Sequence, residues 1–331
     1  MLNSEERKLI VKIAKLYYFE SCTQEKIATK LGISRPVVSK LLQKGRDEGV
    51  VEIVIHDDRL ETSDLEKELE TVFGLQQAVV VPSRDLNQEQ IYSAVGKAAA
   101  YVVLKSIKQA ERIGVSWGRT LFHMVKEFPY EKKENLKIVP LVGGIGNDRT
   151  EFHSNQIAYE LAKKMGVRCE SLYAPALVET EELRDQLVLL PHISSVLEEG
   201  KLIDLAIVGI GNPLAMSTME QFGYLNQDVL QELKMSNAVA DLNSRFIDQD
   251  GVPCNHPINN KVIGIDLEQL KAVKLVIGIA VGEHKVDSIL AALKGKYVNV
   301  LITDEFTATS LADRLKEVEN LYAHLNVEES T

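Results

Sequence analysis

The feature that most constrains the fold is a regular alternation of short apolar runs and helical patterns that begins near residue 77 and continues almost to the C-terminus. The apolar runs have strand length, are rich in β-branched residues, and are separated by stretches with apolar residues at helical spacing. Buried strands joined by helices are typical of a mostly parallel sheet that is covered on both faces. The sequence therefore predicts a doubly wound, Rossmann-like α/β domain, with strands at QAVVVP, RIGVS, LKIVPLV, VRCESLYAP, LIDLAIVGIG, VKLVIGIAVG and VNVLITDE.

The helices predicted between these strands share a 3.6-residue periodicity of apolar side chains. With 331 residues, the chain is long enough for this α/β domain and a second, smaller domain. The predicted helices cover residues 90–105, 119–127, 154–165, 181–189, 285–293 and 307–315.

The first fifty residues carry a different pattern, that of three short helices. The first covers residues 4–18, the second begins after Thr23 and ends at Gly32, and the third covers residues 35–48. Ser34 stands at the N-cap of the third helix, where a hydroxyl is favoured. Two helices joined by a tight glycine turn predict a helix-turn-helix, and the alternating segment VVEIVIHD predicts a strand after it, as in a winged helix.

Charge is distributed unevenly along the chain. The net charge is −10, but residues 1–50 contain ten basic and six acidic residues and carry +4, which leaves −14 for the remainder. A basic head on an acidic body favours a nucleic-acid partner for the head. No apolar run reaches the roughly 20 residues that span a bilayer, and the first residues lack a signal core, so we expect no membrane association and a cytoplasmic location.

The third helix is the predicted recognition helix. Its N-terminal turn should face base edges in the major groove while the preceding helix contacts phosphate. Arg35 suits bidentate contact with guanine, and Val37 suits the thymine methyl group. The predicted DNA-contacting residues, which include a second-helix side chain, are Gln24, Ser34, Arg35, Pro36, Val37, Ser39 and Lys40.

Three loops that follow predicted strands are candidates for a small-molecule site. The segments GVSWGRT and LVGGIGN are glycine-rich strand-to-helix turns, which place backbone N–H groups near an anion, and AVGEHK supplies a lysine. Any one such loop is also a common tight turn, but the carboxyl ends of parallel strands meet at one edge of the sheet. The candidates are Ser116, Gly118, Arg119, Thr120, Gly143, Gly144, Gly146, Asn147 and Lys285.

Signals for catalysis, metals or cofactors are weak. Asp241 and Asp248 flank an arginine and invite an acid/base reading, but the same residue type accepts sugar hydroxyls, and Asp248 also fits a turn. The histidines show no HxH or HExxH spacing, and the three cysteines form no CxxC pair. We therefore predict no catalytic residues, no metal and no cofactor.

Taken together, the run LYYFESCTQEKIATKLGISRPVVSKLLQKGRDEGVVEIVI and the later motifs IGVSWGRT, VPLVGGIG, LAIVGIG, RFIDQDG, AVGEHK and ALKGKYVNVLITDE resemble the SorC family of sugar-responsive bacterial transcription regulators. The resemblance covers nearly the whole chain and is strongest to the branch of the deoxyribonucleoside-operon regulators. It implies an N-terminal DNA-binding domain and a C-terminal effector domain that is similar in fold to sugar-phosphate isomerases and deaminases but not catalytic. It also implies a phosphorylated-sugar effector and a homotetramer built as a dimer of dimers.

Carried over by position, the resemblance assigns roles within the candidate site. The family's phosphate loop falls on Gly118, Arg119 and Thr120, and its second glycine loop falls on Gly143 and Gly144. The resemblance also makes Asp241 the sugar-facing acid and Lys285 the basic residue after the late strand. Val142 stands where some members have Lys or Arg, so no covalent imine or second phosphate clamp is expected there.

These observations predict three segments: a helix-turn-helix domain at 1–56, a linker or oligomerisation helix at 57–75, and an effector-binding domain at 76–331. The leading hypothesis is a transcription regulator of a carbohydrate-utilisation operon whose operator affinity is controlled by a sugar phosphate. A repressor is favoured over an activator. The alternative is a sugar-phosphate isomerase or deaminase with an appended DNA-binding head. A third reading, a structural DNA-bridging protein, predicts no ligand response.

Overall fold

The computed structural model describes residues 4–51, 60–144 and 149–328. The chain separates into two compact units, Met1–Asp58 and Arg59–Thr331. Most of the strand predicted in VVEIVIHD, and the loop residues Gly146 and Asn147, lie outside the described residues.

The first unit is a small helical bundle, as the sequence predicts. Its core consists of apolar side chains at helical spacing from all three helices: Ile10, Ile13, Leu16, Ile27, Val38 and Leu42. The first helix differs from the prediction because its last turn is widened into a π-helical turn, Lys15–Phe19. The helices are α1 Ser4–Ala14, α2 Gln24–Leu31 and α3 Arg35–Asp47.

The turn between α2 and α3 has the expected geometry. Gly32 ends α2 with a φ of +67°, a left-handed conformation that glycine adopts without strain. The Thr23 hydroxyl caps the start of α2 by accepting a hydrogen bond from the Lys26 N–H at 3.3 Å. Ser34 stands at the N-cap of α3, but its side chain makes no capping hydrogen bond.

The second unit is a mixed α/β structure around one sheet. Seven strands run parallel in the order β1-β9-β8-β5-β2-β3-β4, and they correspond to the seven predicted strands. Apolar clusters cover both faces, which confirms the predicted doubly wound arrangement. The strands are β1 Gln77–Val81, β2 Arg112–Val115, β3 Lys137–Pro140, β4 Arg168–Cys169, β5 Leu205–Gly211, β6 Ala240–Leu242, β7 Arg245–Ile247, β8 Leu275–Ile279 and β9 Val300–Asp304.

The helices predicted in this unit are all present with end shifts of a few residues, except that the last one is much longer than predicted. Four further α-helices in the described part of this unit, α9 to α12 in the ranges given below, were not predicted from the sequence. None of the helices in the described ranges is long and apolar enough to cross a bilayer. The helices are α4 Leu60–Phe73, α5 Gln88–Ser106, α6 Arg119–Glu127, α7 Ser154–Met165, α8 Glu181–Val188, α9 Pro191–Lys201, α10 Thr218–Gln221, α11 Gln227–Met235, α12 Leu267–Ala272, α13 Val286–Lys294 and α14 Glu305–Glu328.

Two strand predictions need correction. Only two residues of the predicted nine-residue strand VRCESLYAP, Arg168–Cys169, pair with the sheet. The antiparallel hairpin of β6 and β7, which pairs with the end of β5, was not predicted. Its turn is formed by Asn243 and Ser244, both with positive φ, which is the backbone of a tight hairpin turn without the usual glycine.

Helix α4, within the predicted linker at 57–75, packs on the edge of the sheet. The carboxylates of Glu66 and Glu70 accept hydrogen bonds from the N–H groups of Val80 and Ala78 on β1, at 2.8 and 2.9 Å. These bonds satisfy polar groups that an edge strand would otherwise leave open. The helix therefore belongs structurally to the α/β unit; a further role in oligomerisation stays a prediction.

The strand order fixes where a ligand can bind. The chain leaves β2 toward β3 and β4 on one side, and it leaves β5 toward β8 and β9 on the other side. Neighbouring strands whose connections leave in opposite directions open a crevice at their carboxyl ends, where α/β proteins bind ligands. The boundary between β2 and β5 is that position here.

Candidate functional site

A crevice lies at the carboxyl ends of β2, β5 and β8. The loop after β2, the last residues of β5, the β6 hairpin and the loop after β8 each contribute to it. It brings together six of the predicted effector residues, namely Ser116, Gly118, Arg119, Thr120, Asp241 and Lys285. The other lining residues are Tyr92, Trp117, Gly209, Ile210, Gly211, Met216, Thr218, Gln221, Asn243, Val281 and His284.

The loop after β2 is held in place by the unpredicted hairpin. The buried Ser116 hydroxyl donates to Oδ1 of Asn243 at 2.9 Å, and the Trp117 indole N–H donates to the Ser244 hydroxyl at 3.0 Å. Trp117 is buried in an apolar cluster and so packs the loop onto the core. Ser116 therefore positions the loop, because its hydroxyl proton is already engaged.

Helix α6 begins directly at this loop. Gly118 stands at its N-cap with a φ of +124°, which a residue with a side chain adopts only with strain, and no side chain caps the helix. The N–H groups of an uncapped first turn and the helix dipole favour an anion at this end. The Thr120 hydroxyl donates to the carbonyl of Ile279 at 3.3 Å, which ties α6 to β8.

Arg119 provides the first positive charge of the crevice. Its guanidinium carbon lies 5.6 Å from the centroid of the Tyr92 ring, a cation–π distance. Within the described ranges, Arg119 forms no ion pair with a carboxylate. The aromatic ring holds the guanidinium without neutralising it, so its charge is available to a ligand.

Lys285 provides the second positive charge. It follows Gly282, whose N–H donates to the Asp304 carboxylate at 3.0 Å and to the Thr307 hydroxyl at 2.9 Å. Burial lowers the pKa of Lys285 to about 8; Asp241 acts against this shift and Arg119 adds to it. No acidic side chain in the part of the chain that the structure describes lies within ion-pair distance of Lys285. The lysine is thus still mostly protonated at neutral pH and is unpaired.

Asp241 is the buried acid of the crevice. Burial raises the pKa of Asp241 to about 7, while Lys285 and the backbone N–H of Ser244 act in the opposite direction. Its Oδ1 atom is buried without a hydrogen-bond partner. The crevice therefore combines two cations with an acid that is only partly ionised at pH 7, which leaves it positively charged and suited to an anion.

Gly143 and Gly144, which were also predicted as effector residues, lie outside this crevice. A Cβ atom at Gly143 would lie 2.5 Å from the carbonyl oxygens of Ala174 and Pro175, so the glycine allows two backbone segments to approach. The N–H of Gly144 donates to the Ala174 carbonyl at 2.8 Å. The described part of this loop is explained by backbone packing, and a role in effector binding stays a prediction.

Asp248 also lies away from the crevice. Its Oδ1 atom accepts hydrogen bonds from the N–H groups of Asp250 and Val252, which stabilise a turn. The acid/base pair considered from the sequence is therefore not assembled. Among the described residues, no group of His, Cys, Asp and Glu side chains is arranged to hold a metal ion.

Several residues that line the crevice were not predicted from the sequence. Gly211 stands in the quoted motif LAIVGIG, and a Cβ atom there would lie 2.8 Å from Oδ2 of Asp241, so this glycine makes room for the carboxylate. The positions of Gly209 and Gly211 at the end of a predicted strand were the available signal. Tertiary packing brings Tyr92 and Asn243 to the crevice, and no sequence pattern indicates that they line it.

The candidate DNA surface of the first unit is the N-terminal turn of α3. Six of the seven predicted contact residues are exposed there, and Gln24 at the start of α2 is half-buried. The basic side chains Arg35 and Lys40 form no ion pair with any acid in the described ranges. Val37 is 42% exposed, whereas its neighbour Val38 is fully buried, so α3 presents one face to its core and the predicted face to solvent. The exposed contact residues are Ser34, Arg35, Pro36, Val37, Ser39 and Lys40.

Comparison with known proteins gives consistent matches. A family profile described as "Putative sugar-binding domain" matches residues 57–312. The sorbitol operon regulator of Klebsiella pneumoniae is 34% identical over 313 residues, which cover 94% of this chain and 99% of that protein. The deoxyribonucleoside regulator of Bacillus subtilis (strain 168) is 32% identical over 314 residues, which cover 95% of this chain and 100% of that protein.

Solved structures agree. The full-length sorbitol operon regulator SorC from Klebsiella pneumoniae matches with a TM-score of 0.83 at 34% identity, covering 93% of this chain and 99% of that one. A DeoR family transcriptional regulator from Listeria monocytogenes matches with a TM-score of 0.72 at 41% identity, covering 76% of this chain and 99% of that one.

The helix-turn-helix unit and the α/β unit with its crevice define a DNA-binding transcription regulator with a sugar-responsive effector domain. Within this class, the chain belongs to the SorC family of bacterial transcription regulators. The family and the fold class predicted from the sequence are thereby confirmed.

Proposed function

We propose that this regulator binds a phosphorylated sugar in the crevice and that occupancy of the crevice changes its affinity for operator DNA. The observation that carries the proposal is the presence of two cations, Arg119 and Lys285, that line one crevice without carboxylate partners in the described ranges. A phosphate monoester carries a charge of about −1.5 to −2 at pH 7 and would compensate both. A neutral sugar would leave them uncompensated.

The remainder of the site suits the sugar part of such a ligand. Thr218 and Gln221 line the crevice and provide a hydroxyl and an amide for sugar hydroxyl groups. The carboxyl group of Asp241 has an unsatisfied oxygen for the same purpose. Polar groups of this kind fix the orientation of a ligand that the cations attract.

The first experiment is a thermal-shift screen with matched pairs of sugars, such as glucose 6-phosphate with glucose and ribose 5-phosphate with ribose. A ligand that binds only the folded state stabilises it by about 2.7 kcal/mol at 100 times its Kd. We expect at least one phosphorylated member to raise the melting temperature while its free counterpart does not. A shift with free sugars alone would contradict the phosphate assignment.

Lys285→Ala tests whether the response arises in the crevice. The variant should lose the shift because one of the two cations is removed, while Lys234→Ala, which removes an exposed lysine on α11, should keep it. Equal shifts in both variants would place the ligand elsewhere.

For the DNA side, we propose that the paired heads of a homotetramer, arranged as a dimer of dimers, bind half-sites of a palindromic operator. Half-sites then recur at about 34 Å or a multiple of it along the duplex. The regulator would act in the cytoplasm, as a repressor rather than an activator of a carbohydrate-utilisation operon. Sedimentation of the purified protein tests the assembly, and footprinting with and without the sugar phosphate found above tests the release.

The second candidate function is catalysis on a sugar phosphate, the isomerase or deaminase reading. One observation favours it: burial brings the pKa of Asp241 to about 7 beside a lysine whose pKa is about 8, values that suit proton transfer. Incubating the protein with pentose and hexose phosphates and following the products by NMR separates the two. Turnover that is lost in Asp241→Asn would establish an enzyme; unchanged substrates would favour the regulator without catalysis.

A further inference from the structure

The carboxyl group of Asp241 is buried in a positively charged crevice, yet one of its oxygens makes no hydrogen bond. An ionised carboxylate in such a place would normally be paired on both oxygens, because an unpaired buried charge is costly. The geometry instead suits a carboxylic acid whose O–H lacks an acceptor until a ligand arrives.

The backbone keeps the carboxyl group where it is. Asp241 is the central residue of β6, and it pairs with Gly211 on β5 and with Phe246 on β7. The missing side chain of Gly211 is filled by Oδ2 of Asp241. A residue paired on both sides has little freedom to swing its carboxyl group into bulk water.

The ionisable groups that share the crevice with Asp241 are two cations and two neutral rings. Arg119 and Lys285 are the cations. Burial lowers the pKa of His284, so its imidazole is neutral at pH 7, and burial raises the pKa of the Tyr92 hydroxyl, which stays protonated.

Charged groups on the elements packed against β6 have partners elsewhere. Arg245 on β7 donates to the carbonyls of Asn259, Gly264 and Ile265. On α13, Asp287 pairs with Arg314 and Lys294 pairs with Asp250. The charge that faces Asp241 is therefore set within the crevice.

A charge count then connects the acid to the ligand. With Asp241 ionised, the crevice carries about one net positive charge; with Asp241 neutral, it carries about two, which matches a dianion. We propose that Asp241 is protonated when the crevice is occupied, so that a dianionic effector binds together with one proton from solvent and accepts a hydrogen bond from the Asp241 O–H. The inference rests on the proposed function in one respect, namely that the crevice binds an anion.

The raised pKa of Asp241, about 7, supports this proposal, since only a small further shift is needed to protonate the group fully near neutral pH. A bound dianion supplies that shift, because negative charge beside a carboxylate disfavours its ionised form. Binding of the effector and protonation of Asp241 are therefore linked, and effector affinity should increase as the pH falls through 7.

Isothermal titration calorimetry with sulfate provides the test, because sulfate keeps two charges between pH 6 and 9 and releases no proton itself. At pH 7.0 the titration is repeated in two buffers with different enthalpies of ionisation, which converts proton uptake into a difference of observed enthalpy. We expect the full-length protein to take up as much as about half a proton per sulfate, since a group with a pKa of about 7 begins half ionised.

Variants assign the proton. Asp241→Asn keeps a neutral hydrogen-bond donor and should show no uptake, with a sulfate affinity equal to or higher than that of the wild type. Lys285→Arg and His284→Gln remove the two other titrating groups, and each should retain the uptake. Uptake that persists in Asp241→Asn, or no uptake in the wild type, would overturn the inference.

The same experiment separates this inference from the function on which it rests. If sulfate fails to bind the wild type, or binds Lys285→Ala equally well, the crevice is not an anion site and the proposed function fails. If sulfate binds through Lys285 but no proton is taken up, only the protonated state of Asp241 is disproved.

Discussion

The helix-turn-helix unit and the α/β unit place their predicted binding residues in opposite physical settings. In the first unit all of them except Gln24 lie on an exposed face of α3, and the basic ones, Arg35 and Lys40, form no ion pairs in the described ranges. In the α/β unit they are buried or half-buried and take part in the packing of the protein, as Ser116 does through its hydrogen bond to Asn243 in the turn between β6 and β7. This contrast predicts that substitutions affect binding and folding separately in the first unit and together in the second.

The difference has a general cause. Operator DNA is a large polyanion that binds an exposed convex surface through many contacts, each of which is dispensable for folding. A small anion must be enclosed to be recognised, so the groups that bind it also take part in the packing of the protein. Substitutions can test how far this contrast extends.

The largest expected effect is on the folding of the α/β unit. Gly143→Ala places a Cβ atom 2.5 Å from the backbone carbonyls of Ala174 and Pro175. Because these are backbone atoms, the clash can be relieved only if one of the two chain segments moves. We expect the free energy of unfolding to fall by about 1–3 kcal/mol, as for overpacking. Urea denaturation measures it.

Gly144→Ala is the matched control, because the nearest atom to a Cβ at Gly144 is 3.9 Å away. Its unfolding free energy should stay within about 0.5 kcal/mol of the wild type. Equal losses in the two variants would show that the close backbone approach is not what requires Gly143.

The second effect is on DNA binding alone. Arg35→Ala should weaken binding to the specific operator by about 1–3 kcal/mol, the usual value of a bidentate base contact, and leave the melting temperature unchanged. Fluorescence anisotropy with specific and random duplexes at one salt concentration measures both affinities.

Lys12→Ala removes one exposed positive charge from α1 of the same unit and serves as the control. If Arg35→Ala weakens specific and random DNA equally, Arg35 contacts phosphate. If it also lowers the melting temperature, the separation between binding and folding fails in this unit.

Particular residues show how much of this organisation the sequence can predict. The range of α7, Ser154–Met165, equals the range predicted from the sequence, and the helix ends at Gly166, which has a φ of +64°. Local signals of this kind act within a few residues and are readable without tertiary contacts. They also account for the first unit, where Gly32 and Thr23 delimit α2.

The crevice is predictable only in part. That the loops carrying Arg119 and Lys285 would meet follows from parallel strands, because their carboxyl ends share one edge. The loop of Gly143 follows β3, one strand beyond the boundary of β2 and β5, and the sequence did not reveal that strand order. Asn243 lies in the turn between β6 and β7. These strands have only three residues each, too few for an alternating sequence pattern to predict them.

The third effect couples the crevice to folding through pH. Burial raises the pKa of Asp241 from 3.8 to about 7, so the folded state holds this proton more tightly than the unfolded state. The group therefore stabilises the fold less as the pH rises from about 4 to about 7. Asp241→Asn should be more stable than the wild type at pH 8, and the gain should shrink toward pH 4.

Urea denaturation of the ligand-free protein at several pH values provides the measurement. Asp313→Asn, an exposed acid on α14, should show no comparable pH-dependent gain. A gain that is the same at pH 4 and pH 8 would mean that ionisation of Asp241 is not the cause.

The smallest effect compares two hydroxyl groups of the first unit that stand at equivalent helix positions. Thr23 caps α2 through its bond to the Lys26 N–H, whereas the Ser34 side chain makes no capping bond to α3. Thr23→Ala should lower the unfolding free energy by about 0.5–1 kcal/mol, the cost of losing a weak cap.

Ser34→Ala should change the unfolding free energy by less. It should instead weaken operator binding by about 0.5–1.5 kcal/mol, because a hydroxyl that makes no capping bond is available to a DNA phosphate. Urea denaturation and anisotropy on both variants test the pair: if Ser34→Ala destabilises the fold as much as Thr23→Ala does, the hydroxyl caps α3 in solution, and folding and DNA binding share a residue in this unit as well.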